Sequence, residues 1–371
     1  MKRINFIILL SLVSLLSTAK NFLEKKSILK SMQLVADWEL SNFEEKVKIG
    51  SVYENSHAYW AWTNGSMYIG MFEWAKLSND NKYFQFLKAI GKKEVFKPGP
   101  NLYHADDICV SQLYLELFAR YKDSSMVKPT LDRMNFVLAN RSYSNLDYSL
   151  KEGNEKRWSW CDALFMAPAA YARASRITGD PRYVNFMDQE FKVTYDTLYD
   201  HTQSLFFRDI RYKTQKEANG EKIFWGRGNG WVIGGLCMII DNLPENHPSR
   251  SMYIKLYQQM IEKIAGLQDK NGFWHSSLLD PQSYPMPETS SSGFFTYGLA
   301  WGINNGFLSD KKYKPIAIKA WQALNSAVHL DGKLGWVQPI GADPKSVTKD
   351  MTDVYGVGAF LMAGCQIYNL K

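Results

Sequence analysis

Residues 228–268 read GNGWVIGGLCMIIDNLPENHPSRSMYIKLYQQMIEKIAGLQ, and they hold two helices of different kinds. The first, over 228–243, is apolar almost all round and carries small residues such as Gly234 and Gly235. A helix with no polar face has to be buried on every side, and small side chains let its neighbours come close. The second, over 249–268, has an apolar stripe of Tyr253, Tyr257, Met260, Ile261 and Ile264 at three- and four-residue steps, with Lys, Gln and Glu opposite. Asn246-His247-Pro248 separates the two.

The same alternation extends in both directions. Helical periodicity predicts helices near 23–40, 57–77, 80–95, 105–122, 125–139, 160–178, 181–197, 228–243, 249–268, 289–307, 312–329 and 353–369. Ser78-Asn79-Asp80 and Gly179-Asp180-Pro181 punctuate two of the joins. Leu205 to Tyr212 and Leu334-Gly335-Trp336 are the short stretches that read as strand. Segments 160–178, 289–307 and 353–369 share the Gly-, Ala- and aromatic-rich character of 228–243, whereas 312–329 is amphipathic like 249–268. Six buried helices alternating with six half-exposed ones predict an all-α double ring, an (α/α)6 toroid formed as one domain over 20–371. A helical array or solenoid is the alternative. In a closed toroid the inner helices run parallel, so their N-termini, with unpaired N–H groups and positive dipole ends, converge at one mouth and favour anions there.

The 371 residues are 46% hydrophobic, 22% charged and 14% aromatic, which excludes a disordered chain. The net charge of +7 is spread without a Lys/Arg block and gives little support to nucleic-acid binding. Lys2 and Arg3, the apolar run Ile4 to Leu16 and the small residues Ser17-Thr18-Ala19 form the pattern of a secretory signal peptide over 1–19. No Cys follows it to take a lipid anchor, so the expectation is a soluble exported protein, most naturally periplasmic. Cys109, Cys161, Cys237 and Cys365 lie far apart in apolar helical segments and read as buried thiols; the six His lack zinc-ligand spacing. No metal or organic cofactor is called for.

Polar, acidic and aromatic residues gather before successive inner helices: Trp60-Ala61-Trp62, His104-Ala105-Asp106-Asp107, Trp158-Ser159-Trp160-Cys161-Asp162, Trp225-Gly226-Arg227-Gly228-Asn229-Gly230-Trp231, and His275 upstream of Pro287-Glu288-Thr289-Ser290. An Asp at a helix start is most often a cap. Asp162, however, lies between Trp160 and the apolar Ala163-Leu164-Phe165-Met166, and a carboxyl in such surroundings is raised toward the range of a general acid. Asp107 or its neighbour Asp106 would supply a second carboxylate, and spacing leaves open which faces inward. Arg227, left uncrowded by glycines and followed by Trp231, suits a uronate's carboxylate and ring face; the alternative is an arginine bracing a loop through carbonyls. Arg208 is a further candidate for the carboxylate, and His104 and His275 for sugar hydroxyls.

These motifs, running in order from about residue 60 to 307, resemble those of the unsaturated rhamnogalacturonyl hydrolases, glycoside hydrolase family 105, relatives of the unsaturated glucuronyl hydrolases of family 88. The resemblance implies an (α/α)6 barrel and a substrate that is a lyase-generated oligosaccharide ending in a 4,5-unsaturated uronate. It also implies hydration of the C4–C5 double bond rather than attack on the glycosidic carbon. Asp162 matches the family's acid/base, Asp107 its second carboxylate, Arg227 and Trp231 its substrate-contacting pair, and Trp160 a ring lining the pocket. The family places a His where Arg208 follows Leu205-Phe206-Phe207, and another upstream of the catalytic Asp that has no counterpart in Lys151 to Arg157. Two other readings fit the same residues: an inverting glycosidase using Asp162 and Asp107, and a non-catalytic carbohydrate-binding protein whose Asp162 is only a cap.

Overall fold

The computed structural model describes residues 24–49, 57–147 and 156–370. The signal peptide read over 1–19 lies outside them.

Turn chemistry sets the outer helices. α1 (Lys25–Ile49) leads into the inner α2 (Trp62–Ser78), which ends at Asn79 in the left-handed conformation. The chain turns there, and Asp80 caps α3 (Asn81–Lys93) by accepting from Lys82 N at 2.9 Å. The device repeats further on: Gly179 ends one inner helix at positive φ, and Asp180 accepts from Arg182 N at 2.9 Å with Pro181 in the first turn of the next.

Two of the predicted inner helices are each split in two. The 105–122 segment forms α4 (Ala105–Ile108) and α5 (Ser111–Tyr121), and α6 (Lys128–Ala139) follows outside. The 160–178 segment forms α7 (Ala163–Met166) and α8 (Pro168–Thr178), because Pro168 has no N–H to continue the ladder. After α9 (Pro181–Leu198) comes a small antiparallel ribbon, β1 (Tyr199–Asp200) with β2 (Leu205–Phe206), followed by one turn of 3-10 helix over Ile210–Lys213. The rest of the chain is α10 (Gly226–Asn242), α11 (Arg250–Ala265), α12 (Thr289–Asn304), α13 (Asp310–Ser326) and α14 (Val354–Tyr368). Leu334 forms a single bridge to Val328 rather than a strand.

The inner ring runs α2, α4–α5, α7–α8, α10, α12, α14, and α14 packs back onto α2, which closes it. Glycines set the close spacing. A Cβ on Gly235 would stand 2.2 Å from Leu164 O, and one on Gly70 would stand 2.3 Å from Gly358 O. The Gly226–Gly230 run is therefore not a loop before a helix: it forms the first turn of α10, packed against neighbours that a larger side chain would displace. Trp231 is fully buried and touches Trp62, Phe165, Phe294 and Tyr355, rings from four other inner elements, with centroids 4.5–6.1 Å away. It fills the barrel axis. All four cysteines are buried free thiols, and no helix among the described residues is long and apolar enough to cross a membrane.

Candidate active site

The N-termini of the inner helices meet at one end. Connecting segments are tied to them at that end: Cys161 N donates to Arg208 O at 2.8 Å, Gly226 N to Ser276 O at 2.7 Å, and Thr289 N to Trp336 O at 2.9 Å. His57 meets Asp353, the cap of α14, at 3.1 Å.

Asp162 sits at this mouth, just before α7, with only 8% of its surface exposed. It does not cap the helix with its side chain. Its Oδ2 instead accepts from the Cys161 thiol at 3.5 Å and lies 3.7 Å from Arg208 Nε. Burial pushes its carboxyl above the usual carboxylate range, while the charges of Arg208 and then Arg227 oppose that rise.

The structure separates the two carboxylates that spacing left unresolved. Asp107, 3% exposed, is held in the wall of the cup: its Oδ2 accepts from Asn101 N at 2.9 Å, its backbone O accepts from Gly99 N at 2.8 Å, and a Cβ on Gly99 would strike its Oδ1. Asp106 is the one coupled to Asp162. Its Oδ1 is out of solvent with no hydrogen-bond partner, and burial lifts its carboxyl to about 6, with the negative charges of Asp162 and Asp107 adding to the rise and His104 opposing it. Asp106 is thus the acid whose carboxyl feels the charge of Asp162, while Asp107 is tied to the 99–101 backbone. The sequence carried one signal for this, the pairing of two adjacent acids, which cannot both point the same way at a helix start.

His104 and Trp160 stand beside this pair, their rings 5.1 Å apart, and His104 Nδ1 lies 4.0 Å from Asp107 Oδ2. Arg208 is positioned by Asn229. That side chain accepts from Phe206 N at 2.8 Å and donates to Phe206 O at 3.1 Å, so α10 grips β2 two residues before the arginine. Asp209, completely buried, fixes the Arg208 guanidinium at 2.7 Å and also takes Arg211 Nε and Nη2, each at 2.9 Å.

Other candidate side chains are placed elsewhere. Arg227 has no exposed surface and bonds to Gln338 O, to Pro339 O at 2.8 Å and to Tyr355 Oη at 3.2 Å, flanked by the rings of Trp225 and Tyr355. It braces the 336–340 loop through carbonyls, the second of its two readings, because glycine-lined packing draws the side chain inward instead of leaving it free. Trp231 lies under the cup as its floor, and Trp62, half-buried, stacks on Tyr355 at 5.5 Å. His275 is tied by Nδ1 to Tyr284 O and Met286 O, both at 3.0 Å, with Nε2 3.5 Å from Asp269; its donors serve the rim, not the cup. Trp336, in the braced loop, has φ of 59°, a conformation bulky residues rarely adopt and one that its short-strand reading did not anticipate.

A closed double ring whose mouth holds buried Asp162 and half-buried Asp106 beside an arginine is a layout suited to proton transfer onto a sugar. Residues 31–371 match the family described as Glycosyl Hydrolase Family 88. The chain belongs to glycosyl hydrolase family 88. The motif resemblance had named family 105 together with its relative, family 88. This family 88 chain is 38% identical to an "Unsaturated 3S-rhamnoglycuronyl hydrolase" of Alteromonas sp. (strain LOR), over 90% of this chain and 83% of that one. It is equally 38% identical to a protein of the same name from Formosa agariphila, over 92% of this chain and 95% of that one. Among solved structures it is similar to a glycosyl hydrolase family 88 protein from Bacteroides vulgatus, with a TM-score of 0.82, 29% identity and coverage of 94% of this chain and all of the other.

Proposed function

We propose that this family 88 chain removes a terminal 4,5-unsaturated uronic acid from lyase-generated oligosaccharides, and that the next sugar is a rhamnose. The observation that carries the reading is buried Asp162 with the half-buried Asp106 near it at the mouth of a family 88 toroid. Two relatives at 38% identity named for an unsaturated rhamnoglycuronyl substrate support the sugar.

The chemistry follows from the side chains. The unsaturated uronate is an enol ether, nucleophilic at C4. Asp162, whose carboxyl burial raises toward the range of a general acid, delivers a proton there, and positive charge develops at C5 and the ring oxygen. The Asp162 carboxylate then accepts a proton from the water that adds at C5, which restores the acid. The hemiketal opens, and the hemiacetal left at C1 collapses to release the neighbouring sugar. Asp106, in its ionised form, stabilises the charge at C5.

The test is an absorbance assay against a panel of lyase-generated disaccharides. Hydration removes the conjugated double bond and its ultraviolet absorbance as sugar is released; released sugar with that absorbance retained would show attack at the glycosidic carbon, as in an ordinary glycosidase, instead. Asp162→Asn lowers kcat by about 10²–10⁴ with oligosaccharide binding kept; unchanged turnover would remove Asp162 from the mechanism. We also place the enzyme outside the cytoplasm, on the basic start and apolar run of residues 1–19. N-terminal sequencing of the protein recovered from an exported fraction checks this: an intact Met1 counts against it.

A further inference from the structure

Uronyl hydrolysis asks two things of one small space: recognition of a carboxylate and a proton held on a second carboxyl close by. Arg227 does not serve the first, since its Nη groups are taken by Gln338 O, Pro339 O and Tyr355. Arg208 is the other guanidinium within reach of Asp162. Its contacts with Asp209 and with Asp162 are unequal. Asp209 holds it at 2.7 Å and, with no exposed surface and a second arginine on the same carboxylate, is a fixed anchor. Asp162 lies 3.7 Å from Nε, an ion pair too long for a hydrogen bond and therefore easily exchanged.

We infer that Arg208 serves two anions in turn: it pairs with Asp162 in the empty enzyme and moves to the uronate carboxylate when substrate binds. This rests on the uronyl reading above. The planar fork of a guanidinium suits a carboxylate, and Asp209 keeps the fork at the mouth during the exchange. While Arg208 faces Asp162 it favours the anion, the wrong form for a proton donor. A bound uronate draws that charge away, and Asp162 then holds a proton from solvent. Recognition of the carboxylate and readiness of the acid become one event. A neutral sugar binds without causing it.

The other charged or titratable groups near Asp162 are Asp106 and His104 from the α4 segment, Asp209 after β2, Arg227 on α10 and the Cys161 thiol beside it. Of these, the two arginines and the Cys161 thiol, through its hydrogen bond, favour the Asp162 anion; the thiol is a weak, uncharged donor, and Arg227 is held in place by carbonyls that a substrate cannot replace.

The experiment uses the whole enzyme with Arg208→Gln and Arg208→Lys. Rates on a lyase-generated disaccharide are followed across pH, and calorimetry compares glucuronate with glucose. In Arg208→Gln, kcat/KM falls on the order of 100-fold. Its basic limb moves to higher pH, since Asp162 keeps its proton longer without the neighbouring cation, and the preference for glucuronate over glucose disappears. Arg208→Lys keeps the limb near its wild-type position and part of the preference, and it carries the test should the glutamine variant not fold. A limb that stays in place, with activity lowered equally at every pH, overturns the proposal, as does a glucuronate preference that survives in Arg208→Gln. If the wild type acts on none of the disaccharides, it is the uronyl reading that fails, and the calorimetric comparison still decides whether Arg208 reads a carboxylate.

Discussion

At the scale of single residues, adjacent Asp106 and Asp107 have opposite consequences. Asp106 has its carboxyl raised from an ordinary 3.8 to about 6, chiefly by burial. A group raised in the folded state contributes stability below its unfolded value, and that contribution is lost as pH climbs through the folded one. The charged form of Asp106 therefore destabilises the fold above about pH 6. Asp106→Asn is expected to abolish most turnover yet stabilise the protein by ~2 kcal/mol at pH 7, with the gain vanishing below pH 4. Chemical denaturation at several pH values checks it; a variant less stable at pH 7 would contradict the reading. Asp107→Asn should behave in the opposite way. It weakens the tie to the 99–101 backbone, costing about 1–3 kcal/mol, and lowers activity only as far as the wall of the cup loosens. Arg227→Ala strands the 338 and 339 carbonyls and is expected to destabilise by about 3 kcal/mol or more, with binding of uronates and neutral sugars weakened alike. Selective loss of uronate binding would restore Arg227 to the carboxylate site.

At the scale of elements, glycine places the inner helices. Gly235 lets α10 rest against the Leu164 carbonyl of α7, the helix that follows Asp162. Gly235→Ala puts a methyl group 2.2 Å from backbone oxygen, where no flexible side chain can give way. Displacing α7 is expected to cost about 3 kcal/mol, at the upper end for an overpacked core, and to lower kcat by moving Asp162. Thermal unfolding and initial rates on one preparation measure both, and an unchanged melting temperature would show that the helices have room. Helix existence was legible for all twelve ring positions because periodicity and turn residues are local signals. The breaks at Cys109-Val110 and Ala167-Pro168 were not, apart from the proline, since they come from where the barrel ends. The glycine run misled for a related reason: glycine signals a turn in isolation, but Gly226–Gly230 enters α10 because packing against His275 O and Cys161 leaves no room for side chains.

At the scale of the molecule, ring closure ties the first inner helix to the last. α14 touches both α2 and α12 and also carries Tyr355, which stacks on Trp62 and bonds to Gln338 O at 2.6 Å. A chain stopped at residue 350 leaves the apolar faces of α2, α12 and α1 uncovered. It is expected to lose the single sharp thermal transition of the full chain; a truncated protein that still unfolds cooperatively would show that the arc is stable without closing.

The sequence by itself determined the alternation of buried and half-exposed helices, the gathering of acids and rings before the inner ones, and Asp162 as a carboxyl among apolar neighbours. Each is written in side-chain type and spacing along a few turns of chain. Only the tertiary structure decided which of two adjacent aspartates feels the charge of Asp162, that Arg227 braces a loop, and that Arg208 stands beside the acid. Those outcomes depend on groups more than forty residues apart, Asp162 with Arg208 and Arg227 with the 338–339 carbonyls, meeting across a closed ring, and no local pattern encodes where a long side chain finds its partner.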